Sequence, residues 1–178
     1  MKVKIICFIS FAISLISLSC NKESPTSNEF TDTFAVYISE STFTSEQIPE
    51  LNKIVLVDEP LLTTNDITKY NWTLHQITFP KNVYERIITS GNLLHRMFLI
   101  VANGKRIYWG KFMDNVDSGV CQNPVIILYP RNPDGRITTP EKFLIERAYP
   151  EYYGSVNDPD IRNNPKVHQA LLSAGVLE

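Results

Sequence analysis

Cysteine is scarce in this chain, with three among 178 residues, and the scarcity limits the covalent structures that the fold can contain. Cys7 lies in an apolar N-terminal stretch and Cys20 follows directly after it, which leaves Cys121 in the remainder. If the first two are removed or modified, Cys121 has no intramolecular partner and no internal disulfide can form. No neighbouring residue marks Cys121 as a nucleophile, so a buried, inert cysteine is the expected role.

A surplus of charge of one sign is also missing. The chain carries 17 basic and 19 acidic side chains, for a formal net charge of -2, and contains no basic stripe of the kind that binds nucleic acid. Its three histidines, His75, His95 and His168, are far apart in sequence and form no metal-binding motif. The sequence therefore predicts no nucleic-acid partner, no metal site and no cofactor.

Motifs for nucleophilic serine catalysis are absent after residue 20, since neither Gly-x-Ser-x-Gly nor Ser-x-x-Lys occurs there. Paired carboxylates stay open as an alternative, because Glu141 with Glu146, or Asp158 with Asp160, would suit acid-base work at a separation of roughly 5 to 9 Å. A hydrolase that draws its acid and base from scattered residues such as His75, Glu141 and Glu146 is thus the alternative interpretation. Ordinary surface solvation is the preferred one.

The N-terminus has the layout of a signal peptide, with Lys2 and Lys4 before an uncharged apolar run from Ile5 to Leu18. That run is shorter than the roughly 20 residues that a membrane-spanning helix needs. It ends in Ser17-Leu18-Ser19-Cys20, which resembles the lipobox of bacterial lipoproteins, although Ser17 stands where leucine is usual. The resemblance implies cleavage before Cys20 and lipid attachment to Cys20, which would hold the chain at a bacterial membrane on the periplasmic or cell-surface side. Cleavage without lipid and an uncleaved signal anchor are the alternatives, and both still export the rest.

Three parts of the chain follow from this interpretation. Residues 1–19 are predicted to be the signal peptide, and residues 20–32, which are polar and contain the cluster Ser24–Asn28, a flexible tether. Residues 33–178 have the usual size of a single domain and are predicted to form one.

Hydrophobic patterning predicts an α+β domain with a mixed or antiparallel sheet and helices packed on it. The strongest local signal is a β-hairpin at 97–109, because Asn103-Gly104 supplies the positive φ angles of a tight turn. Helices are expected at about 80–90 and 164–174, with a short helical turn at 45–51 and a helix start at Thr63–Ile67. Further strands are predicted at Phe34–Ile38, Ile54–Val57, Leu74–Phe79, Pro124–Tyr129 and Lys142–Ala148.

The order of these features resembles the periplasmic head subdomain of SecD, a protein-export accessory, and also a group of uncharacterised bacterial lipoproteins. The resemblance rests on Glu59–Ile67, then a strand and a helix, then the hairpin at Ala102–Ile107. It implies a small α+β domain that meets extended polypeptide or a neighbouring protein outside the membrane, without catalytic residues. SecD crosses the membrane several times, whereas no segment after Cys20 is apolar enough to do so, and Tyr129–Glu178 has no counterpart in it.

Two groups of aromatic residues are candidate binding surfaces. Tyr149, Tyr152 and Tyr153 lie in a turn-rich stretch with a composition common at interfaces, although they could instead cover a sheet edge. Tyr108 and Trp109 lie in the predicted strand Lys105–Phe112, which as an exposed edge would accept an extended peptide by strand addition. The sequence thus favours a membrane-tethered, non-catalytic binding or accessory domain of the cell envelope, with an envelope protein or an extended peptide as its partner.

Overall fold

A computed structural model describes residues 30–42, 50–114, 116, 118–128, 141–150 and 158–178. These residues form eight strands and two α-helices, with 3-10 turns at Leu51–Lys53 and Ile161–Asn163. The strands are β1 (Phe34–Thr42), β2 (Leu62–Thr63), β3 (Lys69–Asn71), β4 (Gln76–Thr78), β5 (Arg96–Ala102), β6 (Lys105–Met113), β7 (Val125–Ile127) and β8 (Lys142–Glu146). The helices are α1 (Lys81–Thr89) and α2 (Pro165–Ser173).

All eight strands belong to one curled sheet in the order β2-β1-β5-β6-β7-β8-β4-β3. Every neighbouring pair is antiparallel except β6 and β7, which run parallel. Two helices pack on the sheet, so the predicted α+β class with a mixed sheet is confirmed. Beside β3, the Tyr70 N–H donates to the Val176 carbonyl (2.7 Å) and the Glu178 N–H donates to the Tyr70 carbonyl (2.8 Å), so residues 176–178 add a short parallel neighbour.

The predicted hairpin forms the centre of this sheet as β5 and β6. Its turn residues Asn103 and Gly104 have φ angles of 48° and 72°, in the left-handed region that tight hairpin turns use. The ladder contains one irregularity, because Ile100 pairs with Tyr108 and Val101 with Arg106, which leaves Ile107 as an extra residue on β6. Such a bulge bends its strand and redirects the neighbouring side chains. The hairpin prediction is confirmed, and the strands run further than 97–109.

Both faces of the central strands are buried. On one face Val36, Ile100 and Phe112 belong to the main core, which also contains buried side chains of both helices. On the other face Ala35, Tyr37, Met97 and Leu99 are covered by Ile54 and Leu56 from the segment that follows the first 3-10 turn. The alternation of side chains along each strand therefore serves two separate apolar clusters.

The strand predicted at Ile54–Val57 is wrong. Ile54 and Leu56 are buried while Val55 is 62% exposed, and the segment makes one isolated bridge, between Leu56 and Ser39. The Glu40 N–H donates to the Val55 carbonyl (3.0 Å) and the Val57 N–H donates to the Ile38 carbonyl (2.9 Å), so the segment lies beside β1 without forming a longer ladder. The run of four apolar residues was interpreted as a strand that is apolar on both faces, but such a short run does not by itself distinguish a strand from an irregular covering segment.

The helix start predicted at Thr63–Ile67 is also wrong. The Asp66 carboxylate accepts hydrogen bonds from the Thr63 N–H (2.8 Å) and hydroxyl (3.1 Å), which closes a turn between β2 and β3. Side chains that cap helices stabilise turns by the same hydrogen bonds, so the motif does not distinguish the two. The helical turn predicted at 45–51 lies mostly outside the described residues, and the 3-10 turn begins at its last residue.

The two predicted main helices are confirmed within a residue at each end. In α1 the buried side chains are Val83 and Ile87, and Pro80 stands at the N-cap. In α2 the Asn164 side chain accepts a hydrogen bond from the Lys166 N–H (2.9 Å). Neither helix, nor any other in the portion of the chain with described coordinates, is long and apolar enough to cross a membrane.

Asn164→Ala is expected to lower the free energy of unfolding by about 1 kcal/mol, because the variant leaves an N-terminal amide of α2 without its acceptor. Urea denaturation followed by circular dichroism measures the change. Asn163→Ala is the matched control, since Asn163 is exposed and its side chain accepts no hydrogen bond from a described residue. Equal losses in both variants would contradict the capping role of Asn164.

Candidate functional site

β6 is not the edge strand that the sequence suggested. It lies between β5 and β7, and Lys111–Met113 pair with Val125–Ile127. The preceding part of the strand, Lys105–Gly110, pairs with β5 and has no second ladder within the described ranges. The short length of β7 therefore leaves a gap beside the first half of β6.

A groove of about 450 Å³ occupies this gap. This volume lies within the usual range of small-ligand sites, roughly 300 to 1,000 Å³. The groove is bounded by the middle of β6, by the segment before α2, by the residue pair that leads into β7 and by the first 3-10 turn. Its lining residues are Leu51, Ile107, Tyr108, Trp109, Asn123, Pro159, Asp160, Ile161, Asn163 and Asn164.

The backbone of Trp109 faces this groove. The Lys111 N–H donates to the Pro124 carbonyl (2.9 Å) and the Met113 carbonyl accepts from the Leu128 N–H (2.9 Å), both on the β7 side. Backbone groups of alternate residues in an antiparallel ladder point the same way, so the N–H and carbonyl of Trp109 also point away from β5. Neither the N–H nor the carbonyl of Trp109 has a hydrogen-bond partner among the residues that the structure describes. The groove therefore contains one backbone donor and one backbone acceptor, placed as they are in a strand.

Arg106 fixes the first 3-10 turn, which bounds one side of the groove, to β6. Its guanidinium donates to the carbonyls of Leu51 (2.9 Å) and Ile54 (2.8 Å) and lies 5.6 Å from the centre of the Phe30 ring. Charge-assisted hydrogen bonds of this kind are stronger than neutral ones. The contact fixes Leu51 beside Trp109, so this wall is set by the folded structure.

The carboxylate of Asp160, which lines the groove, is paired with a cation of the protein itself. The Asp160 carboxylate lies 2.6 Å from the Arg162 guanidinium, and both side chains are more than four-fifths buried. Arg162 also donates to the Ile145 carbonyl (2.7 Å), which anchors the ion pair to β8. Burial acts to raise the pKa of Asp160, but the hydrogen bonds and charge of Arg162 outweigh it and lower the pKa. Asp160 therefore stays ionised and paired.

Three asparagines supply neutral polar groups to the groove. Asn163 makes no side-chain hydrogen bond to a described residue, and Asn123 likewise makes none through its carboxamide. Asn164 uses its carbonyl oxygen to cap α2, which leaves its NH2 group for other partners. A carboxamide offers both donors and an acceptor, so the groove is suited to an uncharged, hydrogen-bonding ligand.

A buried aromatic cluster lies behind the groove wall. The Tyr70 hydroxyl lies 3.3 Å from Nδ1 of His75, and the Trp72 ring packs 5.5 Å from the His75 ring. Burial, aided by the charge of Arg162, lowers the pKa of His75 to about 4, and burial raises the pKa of Tyr70. At neutral pH the imidazole is therefore uncharged and enclosed. His75 is thus part of the core and does not line the groove.

Among the predicted binding residues that the structure describes, Trp109 alone both lines the groove and is partly exposed. Tyr108 contributes backbone to the lining, but its side chain is 4% exposed, and its hydroxyl has no hydrogen-bond partner among the described residues. The Tyr108 side chain is therefore buried in the free protein, and its part in a binding surface stays a prediction. Tyr149 pairs with Cys121 through two backbone hydrogen bonds (2.7 and 2.8 Å) and does not line the groove. Tyr152, Tyr153 and the lipid-attachment residue Cys20 lie outside the described residues.

The alternative acid-base set is not brought together. Glu141 immediately precedes β8 and Glu146 ends it, so the two are about 16 Å apart along the strand at roughly 3.3 Å per residue. Ile145 and His75 point into the core, whereas Glu146 points to the opposite face of β8. Across the described part of the chain, no group of three or more His, Cys, Asp or Glu residues could hold a metal ion.

The groove asparagines were not identified from the sequence as site residues, and Asp160 was considered only as one of a carboxylate pair with Asp158. Asn123, Asn163 and Asn164 are far apart or serve as caps, and a single asparagine carries no chemical signature. The one available signal was the cluster Asn163-Asn164-Pro165, which indicated a helix start.

A scan against protein-family models and searches of curated proteins and of solved structures found no match to this chain, so its resemblance to lipoproteins and to the SecD head subdomain stays a prediction.

Proposed function

We propose that this chain is an exported lipoprotein, tethered through Cys20, whose folded domain is a binding module with its ligand site in the groove beside β6. The groove is the observation that supports this proposal. An indole, free strand backbone and three carboxamides converge there, while Asp160 is already paired with Arg162. Sites that bind by hydrogen bonds and apolar contact have this composition. The charged N-terminus, the apolar run and the lipobox-like end at Cys20 support delivery to the cell envelope.

The tether is tested by metabolic labelling with radioactive palmitate in a bacterial host. The unaltered chain is expected to take up label and to sediment with membranes, and Cys20→Ala is expected to lose both properties, because acyl chains supply the membrane affinity. Cys121→Ala is the matched control and is expected to behave like the unaltered chain. Label that persists in Cys20→Ala, or is absent from the unaltered chain, would contradict lipid attachment at this residue.

The placement of the binding site is tested by cross-linking in intact cells. A photoreactive amino acid at Asn163, in the groove, is expected to yield a specific product, and the same group at Asn82, on the exposed face of α1, is not. Products of equal yield at both positions would count against the groove as the binding site.

A further inference from the structure

We propose that the ligand of the groove is an extended, uncharged polypeptide segment that adds to β6 in line with β7. This inference rests on the proposed binding function and specifies its ligand. β7 runs parallel to β6 but pairs with Lys111–Met113 alone, and the chain before it turns towards β8, where Cys121 pairs with Tyr149. Among the described residues, no strand therefore pairs with Ile107–Trp109 on this side of β6. Three strand residues extend over about 10 Å, which gives the length of ligand backbone that the slot holds.

The backbone chemistry of the slot matches a strand. The N–H and carbonyl of Trp109 point into it, and a peptide laid there gives both groups the partners that a ladder residue normally has. Asn123, at the entrance to β7, and Asn163, on the opposite wall, present carboxamides that match the donor and acceptor of a further peptide unit. These hydrogen bonds involve only the backbone of the ligand, so they do not depend on its sequence.

The side walls determine which ligand side chains fit. A strand in the slot alternates its side chains between the two faces of the sheet. One face meets Leu51 and Trp109, and the other meets Ile107 and Ile161, of which Ile161 is 45% exposed. Apolar side chains are therefore accommodated on both faces. A charged one would lose solvation without gaining a partner, because Asp160 is held by Arg162.

The first experiment measures binding to the full-length chain in detergent micelles with an array of blocked peptides of about seven residues, made from uncharged side chains. The strongest binder is then resynthesised with single N-methyl groups along its backbone. Loss of affinity by about tenfold or more at alternate positions is expected, since N-methylation removes one strand hydrogen bond at a time. Absence of any binder, or affinity that is unchanged by every N-methyl group, would overturn the proposal.

Amide hydrogen exchange locates the peptide on the strand. The Trp109 N–H is expected to exchange at least about tenfold more slowly when peptide is bound, whereas the Gly110 N–H, which points to β5, is expected to keep its rate. A Trp109 amide that is already protected in the free chain would show that the slot is occupied by the protein itself, and this result overturns the proposal.

Asn163→Leu is expected to weaken peptide binding by about 5- to 20-fold, while Asn82→Leu leaves it unchanged. A chitin trisaccharide serves as the competing probe of a different class. If the sugar binds with dependence on Asn163 and no peptide does, the peptide proposal fails and the groove remains a binding site. If neither probe binds and the Asn163 cross-link is also absent, the proposed binding function fails as well.

Discussion

Replacing Gly110 by alanine is expected to lower the free energy of unfolding by about 3 kcal/mol, because the added methyl group has no room at this position of β6. A Cβ at this position would lie less than 3.0 Å from the Phe98 ring and from the Pro124 carbonyl oxygen. The Phe98 ring is fully buried, and the Pro124 carbonyl is held by its hydrogen bond from Lys111. A shift of the Phe98 ring would disturb the main core, and a shift of the Pro124 carbonyl would break its hydrogen bond to β6.

Urea denaturation of Gly110→Ala beside Gly119→Ala measures this effect. Apart from its chain neighbours, no described residue has an atom within 4 Å of a Cβ added at Gly119, so the alanine variant is expected to stay within about 0.5 kcal/mol of the unaltered chain. If the two variants unfold at the same urea concentration, the close approach of β7 to β6 is wrong. The groove beside Trp109 would then lose one of its boundaries.

Lowering the pH from 7 to 4 is expected to destabilise the domain by about 2 to 3 kcal/mol through His75. Burial lowers the pKa of His75 to about 4 from its ordinary value of 6.5. The unfolded chain therefore binds a proton over this window while the folded chain does not. The contribution of a neutral His75 is fully present above pH 6.5 and is lost as the pH falls towards 4. The lowered pKa of Asp160 acts at lower pH, below its ordinary value of 3.8.

His75→Asn is expected to remove most of this pH dependence, whatever its effect on stability at pH 7. Asparagine tolerates the left-handed conformation at this position, where φ is 50°, and it has no titrating group. His95→Asn is the matched control, because His95 also has a positive φ, of 63°, but is only partly buried. Unfolding free energies measured at several pH values should show the flatter profile in His75→Asn alone. A profile unchanged by that substitution would contradict the enclosed, neutral imidazole.

Local signals in the sequence predicted the fold to the extent that local interactions determine it. The Asn103-Gly104 turn and the Asn164 cap each depend on a few adjacent residues, so the hairpin and α2 could be predicted. Sheet order depends on pairs far apart in the chain, such as Ile77 with Phe143. No single sequence records such pairing, and β6 was consequently placed at an edge although it lies inside the sheet.

Trp109 is the partly exposed groove residue that could be predicted from the sequence, because a large aromatic side chain in a strand next to polar turns favours an interface. The rest of the groove arises where β7 stops short. That boundary depends on Pro124 and on the route of the chain through Asn123, and neither residue has a functional signature of its own. Tyr108, which was predicted at the same surface, also lines the groove, but its side chain is buried.

The pairing of Tyr70 with residues 176–178 also affects the order in which a growing chain can fold. Tyr70 leaves the ribosome roughly a hundred residues before Val176, a delay of about 5 to 20 s at usual rates of synthesis. During that time the hydrogen bonds from Tyr70 to Val176 and Glu178 cannot form, so the edge at β3 stays open. The hairpin of β5 and β6 can fold as it emerges, whereas the enclosure around Tyr70 and His75 is completed only after synthesis reaches α2 and the residues beyond it.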